Sequence, residues 1–266
     1  MVSFNQRLID RANGINSYLC VGIDISPELL GSDNINDLVK HSKLVVDATR
    51  DFALAYKPNF AFFERWGSKG FTWLENLVEY IGDGPILIAD AKRGDIGSTA
   101  SQYAKSVFNY FNFDCVTLSP YLGSDSIEPF IDYKDKGVFI LCRTSNPSGA
   151  EFQSKKLDND SFLYDSVALW ANTLNKNNNV GLVVGATAPE ELSDIRSLSP
   201  DLPLLIPGVG AQGGDLSHSI RAGNSSSIGI INISRSISFA GDMSESAIRN
   251  SAESYVTKMN IALNGQ

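Results

Sequence analysis

Eight short apolar runs, mostly unbroken Val, Ile and Leu, recur along the chain with more polar segments between them. They are read as strands over Tyr18–Asp24, Leu54–Asn59, Ile86–Lys92, Cys115–Pro120, Val138–Thr144, Val180–Ala186, Leu202–Val209 and Ile228–Ser234. A strand covered on both faces needs apolar side chains at nearly every position, so continuous runs point to parallel pairing. The segments between them space their apolar residues at helical period, which predicts helices such as those over Ile35–Phe52, Ser98–Phe111, Leu163–Lys176, Pro189–Leu198 and Asp242–Leu263. Asn34, Ser98, Asp160 and Asp242 are predicted caps, because a short polar side chain can accept from the free N–H groups of a first turn. Pro189 suits an early helical position.

Strand–helix alternation repeated eight times within 266 residues predicts an α/β fold, a (β/α)8 TIM barrel built as a single domain over residues 1–266. A doubly wound open sheet is the competing architecture. It has less use for eight evenly spaced units, and no G-x-G-x-x-G follows the first strand. No low-complexity linker divides the chain, and its longest irregular piece, Ser145–Asp160, is a candidate lid.

Composition narrows the partners. A formal net charge of −8 supplies no basic face for nucleic acid or an anionic membrane surface, so any bound anion must be held by a few placed groups. The three cysteines, Cys20, Cys115 and Cys142, lie inside apolar runs and lack metal-ligand spacing, as expected of reduced, buried thiols in a cytoplasmic protein. Residues 1–10 are charged and amphipathic without the apolar core of a signal peptide, and no apolar run approaches membrane-spanning length.

The polar residues then fall into register. Asp24 ends the first strand, Lys57 the second, Asp90 and Lys92 the third, and Thr144 the fifth, while Gln212 and Arg235 follow the seventh and eighth. All lie at carboxyl ends, the face on which barrel active sites are built; charges placed by solvation alone would fall as often at the amino ends. Asp90 and Lys92, two apart on a strand, are expected to project together, with Asp95 in the next turn. Such groups are costly to bury unless they pair or do chemistry. An isolated D-x-K would read as a structural ion pair, but the shared register makes it part of a site.

A phosphate signal is independent of that register. Strand seven runs into Pro207-Gly-Val-Gly-Ala-Gln212-Gly-Gly-Asp215 and strand eight into Asn232-Ile-Ser-Arg235-Ser236. Glycines let backbone N–H groups approach an anion, and the loops after strands seven and eight commonly hold phosphate in such barrels. Arg235 would add a charged fork. Other notable side chains read as structure. His41 and His218 sit in predicted helices without a catalytic partner at suitable spacing. Phe60, Phe62 and Phe63 read as core, and Trp66, Trp73 and Trp170 as helix packing, with residues 66–70 an alternative dimer surface. Asn175–Asn179 reads as a solvated helix end.

Asp90-x-Lys92-x-x-Asp95-Ile96, Val21-Gly-Ile-Asp24, Lys57-Pro-Asn-Phe-Ala-Phe-Phe-Glu64 and the Pro207–Asp215 loop together resemble orotidine 5′-monophosphate decarboxylase. Lys57-Pro…Phe-Phe-Glu64 and Arg143-Thr-Ser-Asn-Pro147 resemble its longer bacterial-type subgroup in particular. The resemblance runs from Asp24 to Arg235. It implies a cytoplasmic homodimer that converts orotidine 5′-monophosphate to uridine 5′-monophosphate and carbon dioxide, the last step of de novo pyrimidine synthesis, with no metal or organic cofactor. By similarity, Lys92 would protonate C6 of the pyrimidine, and Asp90 would stand between Lys57 and Lys92. Asp95, Ile96 and Thr99 would reach into the partner's site. Asp24 and Lys57 would hold the ribose hydroxyls, Thr144 the pyrimidine edge, and Gln212 and Arg235 the phosphate.

The chemistry agrees with that expectation. Decarboxylation leaves negative charge on a ring carbon, so a preorganised ammonium there stabilises the transition state more than the ground state. Two alternatives stay open at this level. One is a related metal-dependent phosphosugar decarboxylase or synthase sharing D-x-K-x-x-D; those relatives place a carboxylate metal ligand at the end of strand two, where this chain has Lys57, and Glu64 lies too far along to replace it. The other is a phosphosugar-binding barrel without catalysis, which is hard to square with Asp90, Lys92 and Asp95 together.

Overall fold

A computed structural model describes residues 2–158, 160–210 and 213–265. Eight parallel strands close into a barrel in chain order, with β8 returning to pair with β1 through Leu19↔Ile231, Cys20↔Asn232 and Val21↔Ile233. The strands are β1 (Leu19–Ile23), β2 (Ala53–Pro58), β3 (Ile86–Arg93), β4 (Cys115–Leu118), β5 (Gly137–Arg143), β6 (Val180–Val184), β7 (Leu204–Ile206) and β8 (Gly229–Ile233). Each falls on one of the eight apolar runs. Most strand positions are buried, because helices cover the outer face while side chains fill the interior. An open sheet is excluded by the β1–β8 pairing.

The lower end of the barrel is closed by a helix over Phe4–Ile15, whose Phe4, Leu8 and Ala12 pack with Cys20, Leu54, Ile86, Cys115 and Phe139. Gly137 leaves the room this needs, since a Cβ there would overlap the Phe4 ring. Arg11 ties the same helix to the sheet by donating to the carbonyls of Ala53 and Leu54, each at 2.9 Å.

Helices span Ile35–Thr49, Leu163–Leu174, Pro189–Leu198 and Glu245–Asn264, within a few residues of the predicted ranges. The fifth predicted helix is α-helical only over Gly97–Lys105 and continues as a π turn over Ser106–Tyr110. Asn34 caps as expected, accepting from Asn36 N at 3.0 Å, and Pro189 stands at the first helical position. Three predicted caps are corrected. Ser98 lies inside its helix, behind an N-cap at Ile96. Asp160 lies before the helix that Phe162 opens, where Asp165 Oδ2 accepts from Phe162 N at 2.8 Å. Asp242 accepts from Ser244 N at 3.0 Å, and Ser244 is the cap.

Two long helices escaped prediction, Phe4–Ile15 and Ser68–Ile81. The second buries Trp73, Leu74, Leu77, Val78 and Ile81 at helical spacing but starts from Gly67 without a side-chain cap, so its start signal is missing. Asn175–Asn179 is also corrected. Asn179 is fully buried and donates to the carbonyls of Ile131, Tyr133 and Lys136, while Asn175 Oδ1 accepts from the N–H groups of Asn179 and Val180. These amides splice β6 to the preceding turns; the helix does end at Asn175, and Lys176 and Asn178 are exposed, but Asn179 belongs to the interior.

Candidate active site

The strands deliver their polar ends to one mouth of the barrel. Asp24 directly follows β1, Lys57 lies on β2, and Asp90 and Lys92 lie on β3. Lys57 Nζ is 2.5 Å from Asp90 Oδ2, and Lys92 Nζ is 2.5 Å from Asp90 Oδ1. One carboxylate therefore bridges two ammonium groups, one on each oxygen. Lys57 and Asp90 are buried, whereas the Lys92 side chain is 52% exposed at the mouth. Lys92 is therefore the solvent-facing member of the array.

The electrostatics follow from burial and pairing. Burial alone would lower the pKa of Lys57, but the charges of Asp90 and Asp24 outweigh it and hold the ammonium well above its usual range. Burial alone would raise the Asp90 pKa, but Lys57 and Lys92 pull it well below the ordinary carboxylate range. Both groups are charged at neutral pH.

A cavity of about 180 Å³ opens beside this array, lined by Asp24, Lys57 and Asp90 on one side and by Gly208, Ser234 and Arg235 on the other. Among the described residues, Asp24 Oδ1 is buried there without a hydrogen-bond partner. The loop after β7 turns through Gly208, Gly210 and Gly213 at φ of 100°, 82° and 80°, a left-handed path open to glycine, and Gly214 N donates back to Gly208 O at 3.0 Å. Arg235 follows β8 with an exposed side chain on the cavity wall. Gln212 lies outside the described residues.

Thr144 follows β5 but does not line that cavity. Its N–H donates to Gln153 Oε1 at 2.9 Å, and Gln153 Nε2 donates to its Oγ1 at 2.9 Å, so Gln153 is tied to the end of β5. Asp95 is half-buried and accepts from Ile96 N at 2.8 Å; among the described residues no ion pair joins it to Lys92. Ile96 and Thr99 are exposed. Within one chain these three residues stand outside the array.

Several neighbours take structural roles. Glu64 pairs with Arg93 at 2.6 Å, and the guanidinium stacks over Phe60 and Tyr103. His41 Nε2 donates to Ser238 O at 2.7 Å, and His218 Nε2 to Pro189 O at 2.9 Å. Phe60, Phe63 and Trp73 are buried in the core, while Phe62, Trp66 and Trp170 pack against it part-buried. Thr117 on β4 was missed by sequence reasoning. It is 2% exposed, donates to Asp90 Oδ1 at 3.2 Å and accepts from Lys92 N at 3.0 Å. Only its place at the end of an apolar strand could have signalled it.

A family model described as Orotidine 5′-phosphate decarboxylase / HUMPS family matches residues 17–249. The chain belongs to that family. It is 47% identical over 256 residues to an orotidine 5′-phosphate decarboxylase of Roseiflexus castenholzii, covering 93% of each chain. Among solved structures it resembles the OMP decarboxylase of Leishmania donovani with a TM-score of 0.89 and 39% identity, covering 99% of this chain and 100% of that one. It also resembles the UMP synthase of the same organism, with a TM-score of 0.90 and 40% identity over 99% of this chain and 57% of that longer protein. The closed barrel is thus the fold shared with these solved relatives.

Proposed function

We propose that this chain decarboxylates orotidine 5′-monophosphate to uridine 5′-monophosphate and carbon dioxide, with Lys92 as the proton donor. The observation that carries the reading is the Lys57–Asp90–Lys92 array beside a cavity whose far wall holds Arg235. The bond from C6 to the carboxylate breaks with its electron pair left on C6, carbon dioxide departs, and a proton from the Lys92 ammonium forms the new C–H bond. An ammonium already in place when charge develops on carbon favours the transition state over the bound substrate.

Asp24 and Lys57 hold the ribose hydroxyls in this reading, Thr144 meets the pyrimidine edge, and Gln212 and Arg235 hold the phosphate. Asp95, Ile96 and Thr99 complete the site of a second subunit in a homodimer, which accounts for their standing clear of the array in their own chain. Phosphate binding lies far from the reacting carbon, and its energy closes the Pro207–Asp215 loop over the substrate. The setting is the final step of UMP synthesis in the cytoplasm. A metal-dependent phosphosugar reaction is not favoured: Lys57 stands where those relatives place a carboxylate ligand, and Glu64 is engaged by Arg93.

The test is the loss of orotidine-monophosphate ultraviolet absorbance with purified protein, with and without chelator. Undiminished turnover in chelator is expected; abolition would move the assignment to the metal-dependent relatives. Lys92→Ala is expected to lower kcat/KM at least ~10³-fold, several kcal/mol of transition-state stabilisation. A variant within tenfold of wild type would remove Lys92 from the chemistry.

A further inference from the structure

Lys92 occupies a backbone conformation that its side chain disfavours. Its φ is 46°, in the left-handed region, and it is one of two described non-glycine residues at positive φ that are neither Asn nor Asp, the residues that tolerate it best. The cause lies in the ladder between β3 and β4. Ala89 pairs with Val116 and Arg93 with Leu118, so Asp90, Ala91 and Lys92 on one strand oppose Thr117 alone on the other. The extra residues bulge at the point where the ammonium must be aimed, a common place for a bulge to redirect a side chain.

Thr117 closes this bulge from the inside. Lys92 N donates to Thr117 Oγ1 at 3.0 Å, Thr117 Oγ1 donates to Asp90 Oδ1 at 3.2 Å, and the same Oδ1 accepts from Lys92 Nζ at 2.5 Å. The backbone and the head group of one lysine are thus joined through a single hydroxyl and a single carboxylate oxygen.

We propose that Thr117 is a positioning residue for the decarboxylation: its hydroxyl holds the strained Lys92 backbone and the Asp90 carboxylate in one geometry, so that the ammonium is aimed before substrate arrives. The inference rests on the assignment of Lys92 as proton donor. Thr117 is buried behind the array and does not line the cavity, so its loss should misplace the reacting groups without weakening the grip on ribose or phosphate.

Thr117→Val keeps shape and branching and removes only the hydroxyl; Thr117→Ser keeps the hydroxyl. With orotidine monophosphate as substrate, the Val variant should lose about 10- to 100-fold in kcat, the scale of a small misplacement of reacting groups, with KM within about threefold of wild type. The Ser variant should recover kcat to within about threefold. A general packing defect would not be rescued by the smaller Ser, so equal losses in both variants would overturn the proposal. So would a Val variant with more than a third of wild-type kcat, or one whose loss lies in KM. Thr117→Ala carries the same expectation as Val if the Val chain does not fold. Lys92→Ala assayed alongside separates the two levels: if it stays active, the proton-donor assignment fails, and if it is dead while Thr117→Val is unimpaired, only the role of Thr117 fails.

Discussion

Lys57 Nζ lies 2.5 Å from Asp90 Oδ2, and the two side chains are only 5% and 9% exposed. Removing one member of such a pair strands the other charge in the interior, so Asp90→Asn should cost about 3–5 kcal/mol of stability at pH 7. The cost has a defined pH dependence. The Asp90 pKa is depressed in the folded chain, so its contribution is fully present above the unfolded carboxylate pKa and is lost as pH falls towards the folded value. The stability gap between wild type and Asp90→Asn should therefore be flat from pH 8 to about 5 and shrink by roughly 1.4 kcal/mol per pH unit below about 4. Denaturant melts of both chains at pH 7 and pH 3 measure it, and a gap unchanged at pH 3 would mean that Asp90 is not held ionised by its lysines.

Gly22 on β1 is required by Ser234 after β8. A Cβ at Gly22 would overlap Ser234 Oγ and stand 2.9 Å from Ser234 Cβ, and Arg235 is the next residue. Gly22→Ala must push Ser234 aside and carry Arg235 with it, with about 1–3 kcal/mol of overpacking. The expected result is a raised KM for orotidine monophosphate. A second substitution, Ser234→Gly, removes the overlapping atoms and should restore KM; a double variant as impaired as Gly22→Ala would show that the damage travels another way.

Arg235→Ala should also raise KM, because its proposed contact is to the non-reacting phosphate. If loop closure suffers as well, kcat falls with it. The nucleoside orotidine, which lacks the phosphate, supplies the control. Its slow turnover should be indifferent to the substitution, and an equal loss on both substrates would remove Arg235 from phosphate binding.

The barrel was legible because each strand is a continuous apolar run, a signal that survives without knowing its neighbours. The array was legible for a partly different reason than the sequence argument supplied. Alternation along a strand brings positions 90 and 92 to one face, yet Lys92 sits in a bulge at positive φ and meets Asp90 by way of that bulge. Thr117 and Asn179 could not be read, because a buried Thr and a buried Asn look like any polar residue near a strand end until their partners are in place. Ser98 failed as a cap because its helix opens one residue earlier, behind Ile96 and without any side-chain cap, and Asp242 failed because Ser244, two residues on, caps instead.

The final prediction concerns the shared site. Asp95 is half-buried past the end of β3 without an ion pair to Lys92 in its own chain, and Ile96 and Thr99 beside it are exposed. If Asp95 acts across a dimer, each site combines Lys92 of one chain with Asp95 of the other. Lys92→Ala and Asp95→Asn should each form nearly inactive homodimers. Their hybrid then has one site with both lesions and one with neither. Random pairing makes about half the dimers hybrids, each with one intact site, so a co-refolded mixture should recover roughly a quarter of wild-type activity. A site built within one chain gives no rescue, because each subunit of the hybrid still carries a lesion in its own site. Co-expressing the two chains with different tags and assaying the doubly purified hybrid decides between them: a verified hybrid as inactive as its parents would mean that Asp95 serves its own subunit.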